Sequence, residues 1–330
     1  MKKFLTAMLS VAILGAALGV SACGGDDKEF DVYAPDGAPA LALTYGLAQD
    51  EKSEDHKFDY EIVDASTIAA QVTGRDPNAD FCILPVNIAA KLLGTGETYK
   101  LLGTVTNGNM YFLTTEGNPV LTAENLDTLV GKKVGVVQLA NVPGLTFQSV
   151  LKEAGVKYQI ASGQYAEDAV NLIALQDATA VGPALGYDYY LCPEPAATLK
   201  ISKTPLVAAG SLQELHGGGY PQAVLVAKAK IVEKHKDVVE EFIALVKASE
   251  SYLETAEPAT VLELLAEARE DGLTPAFTEQ NLNATVIANC SVYFTESALC
   301  KAKVNEFLAE LMGVSPEFTS TVSDSFYYMG

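Results

Sequence analysis

The side chains able to do covalent or acid–base chemistry are few and scattered. The chain has three histidines. His56 stands in a polar run with Lys52, Glu54, Asp55 and Lys57, and His235 lies between Lys234 and Lys236, so both read as solvated surface. His216 opens a His216-Gly217-Gly218-Gly219 stretch, which suits a hinge or plain loop better than a phosphate cradle, since it precedes a strand rather than a helix and has no partner lysine. No H-E-x-x-H pair and no G-x-S-x-G nucleophile turn occurs. The cysteines lack the short C-x-x-C spacing that zinc needs, so no metal is expected. One carboxylate is marked by its setting, Glu194 in Cys192-Pro193-Glu194-Pro195. It either accepts hydrogen bonds from a ligand amine or fixes its own loop. No catalytic residue and no cofactor is expected.

Binding is the better use of the residues present. Six turns carry small residues, prolines and amides: Asp36-Gly37-Ala38-Pro39, Ser66-Thr67, Leu84-Pro85-Val86-Asn87, Asn107-Gly108-Asn109, Asn141-Val142-Pro143-Gly144 and Gly182-Pro183. Most stand where a strand ends and a helix begins. A helix N-terminus offers unpaired N–H groups and about half a positive charge. Asn87 and Asn141 each offer two donors and an acceptor to a heterocycle edge. The expected ligand-binding set is Asp36, Gly37, Ala38, Ser66, Thr67, Pro85, Asn87, Asn107, Asn109, Asn141, Val142, Glu194 and Tyr220. Tyr33, Tyr111, Tyr187 and Tyr220 are able to stack on a ring. The only arginines are Arg75, in a turn before a strand, and Arg269, on a late polar helix face. Neither is placed for the bidentate fork that holds sulfonate or carboxylate. A neutral or zwitterionic heterocycle, or an amine, is therefore the favoured solute.

These turns need elements to carry them. Short apolar strands are expected near Phe30–Tyr33, Tyr60–Val63 and Phe81–Leu84, each followed by a helix. Strand-like segments at 99–106 and 110–115 lead into a second series, with strands near 133–137, 158–161, 178–181, 199–202 and 223–227. Helices are expected over 123–129, 142–154 and 167–175, another opened by Gly182-Pro183, and then over 233–255, 258–270, 278–288 and 297–312. Buried strands alternating with helices argue for parallel sheets covered by helices, an α/β class. In such sheets ligands sit outside the carboxyl ends of the strands.

Composition agrees. The chain has 330 residues, 49% hydrophobic and 19% charged, a folded composition long enough for two domains. Its formal net charge of −20 excludes nucleic acid as a general partner, because phosphate contacts need a positive face. At the amino end, Lys2 and Lys3 precede an uncharged apolar run from Phe4 to Val20. The run closes in Val20-Ser21-Ala22-Cys23, which resembles a bacterial lipobox. Residues 1–22 then form a signal peptide, Cys23 carries the lipid, and 23–29 are a flexible tether. Several acyl chains, at about 0.8 kcal/mol per buried CH₂, anchor stably. Export permits disulfides between Cys290 and Cys300 and between Cys82 and Cys192, with buried free thiols as the alternative.

Several segments together carry a family resemblance. They are the lipobox, Tyr33-Ala34-Pro35-Asp36-Gly37-Ala38-Pro39-Ala40-Leu41-Ala42-Leu43, Asp80-Phe81-Cys82-Ile83-Leu84-Pro85-Val86-Asn87-Ile88-Ala89-Ala90, Asn109-Met110-Tyr111-Phe112-Leu113, Gly131-Lys132-Lys133-Val134-Gly135-Val136-Val137 with Asn141-Val142-Pro143, and Leu191-Cys192-Pro193-Glu194-Pro195-Ala196-Ala197. They resemble substrate-binding lipoproteins of ABC importers, in the nitrate/sulfonate/thiamine-pyrimidine-like group. The resemblance implies a type II periplasmic-binding-protein fold, two α/β domains with a cleft between them. It implies a discontinuous first domain, 30–113 with 226–330, and a second domain, 114–225. The crossings fall at about 111–115 and 222–227. It also implies a monomer on the extracytoplasmic face of the cell membrane that hands a small solute to an ABC permease and its ATPase. A ligand-sensing surface lipoprotein, or less readily an enzyme, is the alternative on the same fold.

The lipid attaches outside the folded body, so Cys23→Ser is expected to release the protein from membranes without lowering its unfolding temperature. Membrane fractionation paired with a thermal melt checks this, and a variant that stays with the membrane fraction refutes the anchor.

Overall fold

The computed structural model describes residues 29–49 and 56–330. Cys23, the apolar leader and most of the polar run before His56 lie outside the described residues. The chain opens with β1 (Glu29–Pro35), α1 (Ala38–Leu41), α2 (Thr44–Gln49), β2 (Lys57–Val63), α3 (Ile68–Gln71), β3 (Phe81–Pro85), α4 (Val86–Leu93) and β4 (Tyr99–Thr106). A second series holds β5 (Met110–Thr115), β6 (Lys133–Val137), α5 (Val142–Glu153), β7 (Tyr158–Ile160), β8 (Val170–Leu175), β9 (Tyr189–Pro193), α6 (Ala196–Lys203), β10 (Leu206–Ser211) and α7 (Leu212–Leu215). The chain returns through β11 (Ala223–Lys228), α8 (Ala229–Lys234), α9 (Lys236–Thr255), α10 (Pro258–Glu267), α11 (Ala284–Asn289), β12 (Val292–Glu296) and α12 (Ser297–Met312).

The strands form two six-stranded sheets, ordered β12-β4-β11-β3-β1-β2 and β10-β5-β9-β6-β8-β7. In the first, β2, β1 and β3 run parallel, and β11 lies antiparallel between β3 and β4. In the second, β7, β8, β6 and β9 run parallel, and β5 lies antiparallel between β9 and β10. Burial follows position. Every residue of the central β11 is buried, whereas β1 and β2 begin with alternation and end buried. A strand covered on both faces needs apolar residues throughout, and Ala223–Lys228 supplies them until its last residue.

Two large cores and a smaller one, around Leu113, Tyr190 and Cys192 of the second sheet, hold the sheets. On one face of the first sheet, Phe81 packs on Phe242 of α9 at 4.4 Å between ring centroids, with Phe58 at 5.0 Å from the same ring. The other large core runs from the opposite face of the first sheet into the second, through α12. There Phe112 meets Phe147 edge-on at 5.0 Å, and Tyr220 stacks on Phe307 at 5.5 Å.

Several elements differ from the sequence reading. Residues 167–175 hold strand β8 instead of a helix, because Val170, Asn171 and Leu172 are buried beside β6 and the segment pairs in register with it. The strand expected near 199–202 is helix α6, with Lys200 and Lys203 in its last turn where the negative helix end favours them. Residues 178–180 and 183–185 form single 3₁₀ turns with no buried side chain. Strand β10 was not foreseen, nor was β12, whose residues are all half-buried. The 278–288 helix shortens to α11, where Asn283 Oδ1 accepts from the Val286 N–H and sets the start.

The four described cysteines are free and buried in the structure, in place of the expected bridges. Cys290 and Cys300 belong to different cores, as do Cys82 and Cys192. Burial pushes the Cys192 thiol up to about 12 and the Cys300 thiol up to about 11. The histidines also depart from expectation. His56 and His235 both pack against the Phe30 ring, at 6.2 and 6.0 Å, and His56 Nδ1 lies 2.6 Å from Glu241 Oε2. Charge in the neighbouring sequence disguised a half-buried setting.

Phe242→Ala is expected to lose about 3–5 kcal/mol of stability, since its ring fills the contact with Phe58 and Phe81. Leu299→Ala, at an exposed position, is expected to stay within about 0.5 kcal/mol of the parent. Denaturant titration of both variants checks the contrast.

Candidate functional site

Register fixes where a site can form. Thr106 ends β4, and Met110 begins β5 in the other sheet. Met110 pairs with Pro193, the last residue of β9, and Ala223, the first residue of β11, pairs with both Pro85 and Thr106. Both chain crossings therefore join the carboxyl edges of the two sets of parallel strands. The crossing turns are 107–109 and 216–222. Gly108, Gly217, Gly218 and Gly219 all have φ between +90° and +111°, a region that favours glycine. The Gly218 and Gly219 N–H groups both donate to the Gln213 carbonyl. Those donors are thus spent on ending α7, and a phosphate cradle is ruled out.

At this junction lies a connected polar group. The Glu194 side chain is only 3% exposed. Its Oε2 accepts from the Thr198 N–H (3.0 Å), and its Oε1 accepts from Thr198 Oγ1 (2.7 Å) and from Asn289 Nδ2 (3.0 Å). Thr198 belongs to the same side of the junction; Asn289, at the end of α11, belongs to the other. Tyr111 Oη donates to the Asn289 carbonyl (3.2 Å). Burial and then the Glu194 charge push the Tyr111 phenol up to about 12. Asn109 Nδ2 donates to the Glu194 carbonyl, and its Oδ1 accepts from Gln222 Nε2 (2.8 Å). Asn107 Nδ2 donates to the Tyr293 carbonyl. Buried atoms without a partner remain here: Gln222 Oε1, Thr106 Oγ1 and Tyr220 Oη. Each such atom costs about 1–3 kcal/mol relative to a bonded one.

Of the expected residues, the structure brings together Asn107, Asn109, Glu194 and Tyr220. Tyr220 is fully buried against Phe307, so its ring is not open for stacking. Asp36 does not face a ligand freely. Its Oδ1 accepts from the Gly37 N–H and its Oδ2 from the Ala276 N–H (2.7 Å), and Gly37 and Ala38 are buried. Ser66 and Thr67 are exposed in a turn held by Asp64. Pro85 is half-buried at the end of β3. Asn87 is wholly buried, and its Nδ2 donates to the Phe318 carbonyl of the carboxyl-terminal segment. Asn141 Oδ1 accepts from the N–H of the buried Val142, opening α5. Gly144 follows, where a Cβ would stand 2.1 Å from the Leu139 carbonyl oxygen. Gln138, in the same turn, holds φ +57°, a strained value outside glycine.

Sequence reasoning missed Asn289, Thr198, Gln213 and Gln222. Nothing local marks them, because long-range pairing alone brings Asn289 to Glu194. Arg269 was also misread as surface. It pairs as an isolated bridge with Ile62, its Nε and Nη2 are buried without a partner, and its charge offsets part of the burial that raises the Asp36 carboxyl.

A second link crosses between the halves. His216 Nε2 lies 2.9 Å from Glu310 Oε2 on α12, and Lys152 Nζ on α5 donates to the Gly313 carbonyl (2.6 Å). Burial acts to raise the Glu310 carboxyl, but hydrogen bonds from His216 and Ser149 outweigh it and hold the group below its ordinary range.

Two parallel-cored sheets, each completed by an antiparallel strand delivered from the other half, define the two-domain α/β fold of periplasmic binding proteins. Among solved structures, an ABC transporter protein of Parabacteroides distasonis is similar at a TM-score of 0.69 and 18% identity, covering 92% of this chain and 99% of that one. The periplasmic aliphatic sulphonate-binding protein of Escherichia coli is similar at 0.62 and 14% identity, covering 92% and 94%. The periplasmic nitrate-binding protein of Synechocystis is similar at 0.58 and 12% identity, covering 91% and 84%. These likenesses establish the fold. No protein-family model and no curated protein matches the chain.

The Glu310 carboxyl is held below its ordinary value of 4.5, so its stabilising effect is complete above that pH and is lost as pH falls through the lowered value. The stability gap between the parent and Glu310→Gln is therefore expected to be largest near neutrality and to close in acid. Denaturant titrations across the acid range check this, and a gap that widens on acidification refutes it.

Proposed function

We propose that the protein is an extracytoplasmic, lipid-anchored solute-binding protein that delivers a small molecule to an ABC importer by hinged domain closure. In this reading one domain comprises roughly residues 30–113 with 226–330, the other 114–225, and the turns at 107–109 and 216–222 absorb the hinge motion. The observation that carries the reading is Glu194, a buried carboxylate at the junction of two carboxyl sheet edges, bonded across the junction by Asn289 and by no cation among the described residues. An amide donor stands where a ligand ammonium or ring N–H would bond instead, and a hydrogen bond to a charged group is worth about 1.5–3 kcal/mol. The solute is then an amine, or a neutral or zwitterionic heterocycle. Arg269, beside Asp36 at the carboxyl edge of the first sheet, supports the zwitterion within that set.

Supporting the transport role are the fold, shared with an ABC transporter protein and with periplasmic sulphonate- and nitrate-binding proteins, and the lipobox-like segment ending at Cys23. The buried thiols, pushed up by desolvation, suit no nucleophilic role. A surface protein that senses the same solute is the second reading. Neighbouring permease and ATPase genes favour transport; a neighbouring kinase gene favours sensing.

A thermal-shift screen of vitamins, pyrimidines, purines, amino acids and polyamines tests the reading, since a solute at 100 times its Kd adds about 2.7 kcal/mol of stability. The hit is expected to contract the protein in small-angle scattering and to bind Glu194→Gln at least tenfold more weakly by calorimetry, the loss of one charged hydrogen bond. Sulfonates binding in place of amines, with Glu194→Gln unaffected, overturn the proposed solute class.

A further inference from the structure

A cavity of about 340 Å³ opens away from the crossing turns. It lies between α9, the start of α12 and the last residues of the chain. Its position follows from register. Val292 of β12 pairs with Thr106 at the junction edge, so Glu296, paired with Gly103, is displaced toward the other end of the sheet. Leu102 and Ile243 give the cavity an apolar wall.

The charges around it can be accounted for one at a time. Glu240, Ile243, Ala244 and Lys247 form one stripe of α9, at the three- and four-residue spacing of a helix face. Lys247 is ion-paired with Glu296. Glu296 is also the N-cap residue of α12, without a side-chain cap hydrogen bond, so its charge stands close to the positive helix end. Both positive features of the cavity are thus met by Glu296. Glu240 remains, and among the described residues no cation pairs with it. Burial raises the Tyr328 phenol and the Glu240 charge raises it further. Two hydroxyls in the lining also lack partners. Ser297 is 1% exposed, yet its Oγ has no hydrogen bond, and neither has Tyr328 Oη.

We propose that this cavity is a second binding site, for a small organic ammonium with a short apolar body. The ammonium meets the Glu240 carboxylate and the lone pairs of the two hydroxyls, and the carbon chain lies on Leu102 and Ile243. The site is separate from the junction at Glu194 and does not depend on the solute bound there.

The test is amide-resolved NMR of the full chain titrated with n-butylammonium, with n-butanol and butyrate as probes of the same length, at fixed ionic strength. The expected result is saturable shifts at Ser297, Ala298 and Tyr328 with n-butylammonium and weaker effects with the other two. Glu240→Gln is expected to weaken binding about tenfold, the loss of one charged hydrogen bond. Ala244→Phe, at an exposed helix position, is expected to fill the cavity and abolish the shifts while leaving the rest of the spectrum in place. Butyrate binding as well as n-butylammonium would mark an anion site at α12 and overturn the proposal. So would an unchanged affinity in Glu240→Gln, or unsaturable shifts spread over the acidic surface.

Discussion

The structure depends on two strands that serve the half of the chain they do not follow. β5 leaves the first sheet and completes the second; β11 leaves the second and completes the first. Each lies antiparallel against the last parallel strand of its host sheet, β9 for β5 and β3 for β11. An antiparallel neighbour must start where its partner ends, so the crossing turns are forced to the carboxyl edges. Everything polar at the junction follows from that. Asn109 and Gln222 flank the two crossings and bond each other. Glu194 follows the strand that β5 pairs with, and Asn289 precedes the strand that pairs with β4. A one-residue slip in either crossing strand would turn its side chains to the opposite face and separate these groups.

The junction holds its one buried carboxylate by a full set of hydrogen bonds. A carboxylate buried to 3% exposure is expensive unless its lone pairs are filled. Here Thr198 fills two sites from one residue, its N–H and its hydroxyl, and Asn289 a third. That arrangement fixes the carboxylate in place without neutralising it. The uncompensated charge acts on its neighbours, raising the Tyr111 phenol and the Cys290 thiol after burial has already done so. Groups so raised stay protonated near neutral pH, which makes them poor nucleophiles and bases but good fixed hydrogen-bond partners.

The sequence made some of this legible and hid the rest for physical reasons. Strands β4, β5 and β6 and helix α12 fall where the apolar pattern put them, because each carries a strong local signal bounded by glycine or asparagine turns. The resemblance located both crossings, at β5 and β11. Residues 167–175 read as a helix because Ala169, Val170 and Ile173 are spaced for one. Pairing with β6 overrode that preference. Candidate residues chosen by turn chemistry divided in two. Asn107, Asn109 and Glu194 sit at the crossings and meet. Asn87, Asp36 and Asn141 were chosen as free donors or acceptors, yet the fold spends them on the carboxyl-terminal segment, the Ala276 N–H and a helix cap. Turn composition cannot tell a side chain that binds a ligand from one that binds its own backbone, since both call for the same amide or carboxylate. Arg269 was hidden by its acidic neighbours, which suggest solvent although its guanidinium is partly buried.

Helix α12 limits how any closure can work. It belongs to the first half by sequence and packs in the core that also holds Phe112 and Phe147 of the second. Phe307 stacks on Tyr220, Glu310 bonds His216, and Gly313 accepts from Lys152. A close-packed contact of this kind does not open by a large angle without losing its dispersion and hydrogen bonds together. In the proposed closure, rotation of the halves is therefore easiest about an axis near α12, where displacements are least. On the Glu194 side the contact to Asn289 consists of two hydrogen bonds, from its amide to Glu194 and from Tyr111 to its carbonyl, each worth at most about 1.5–3 kcal/mol, and they separate more readily than the α12 packing. In the proposed hinged mechanism the junction thus opens on the Glu194 side while α12 acts as the pivot. The ligand-dependent step is then the exchange of the Asn289 amide for a donor on the solute.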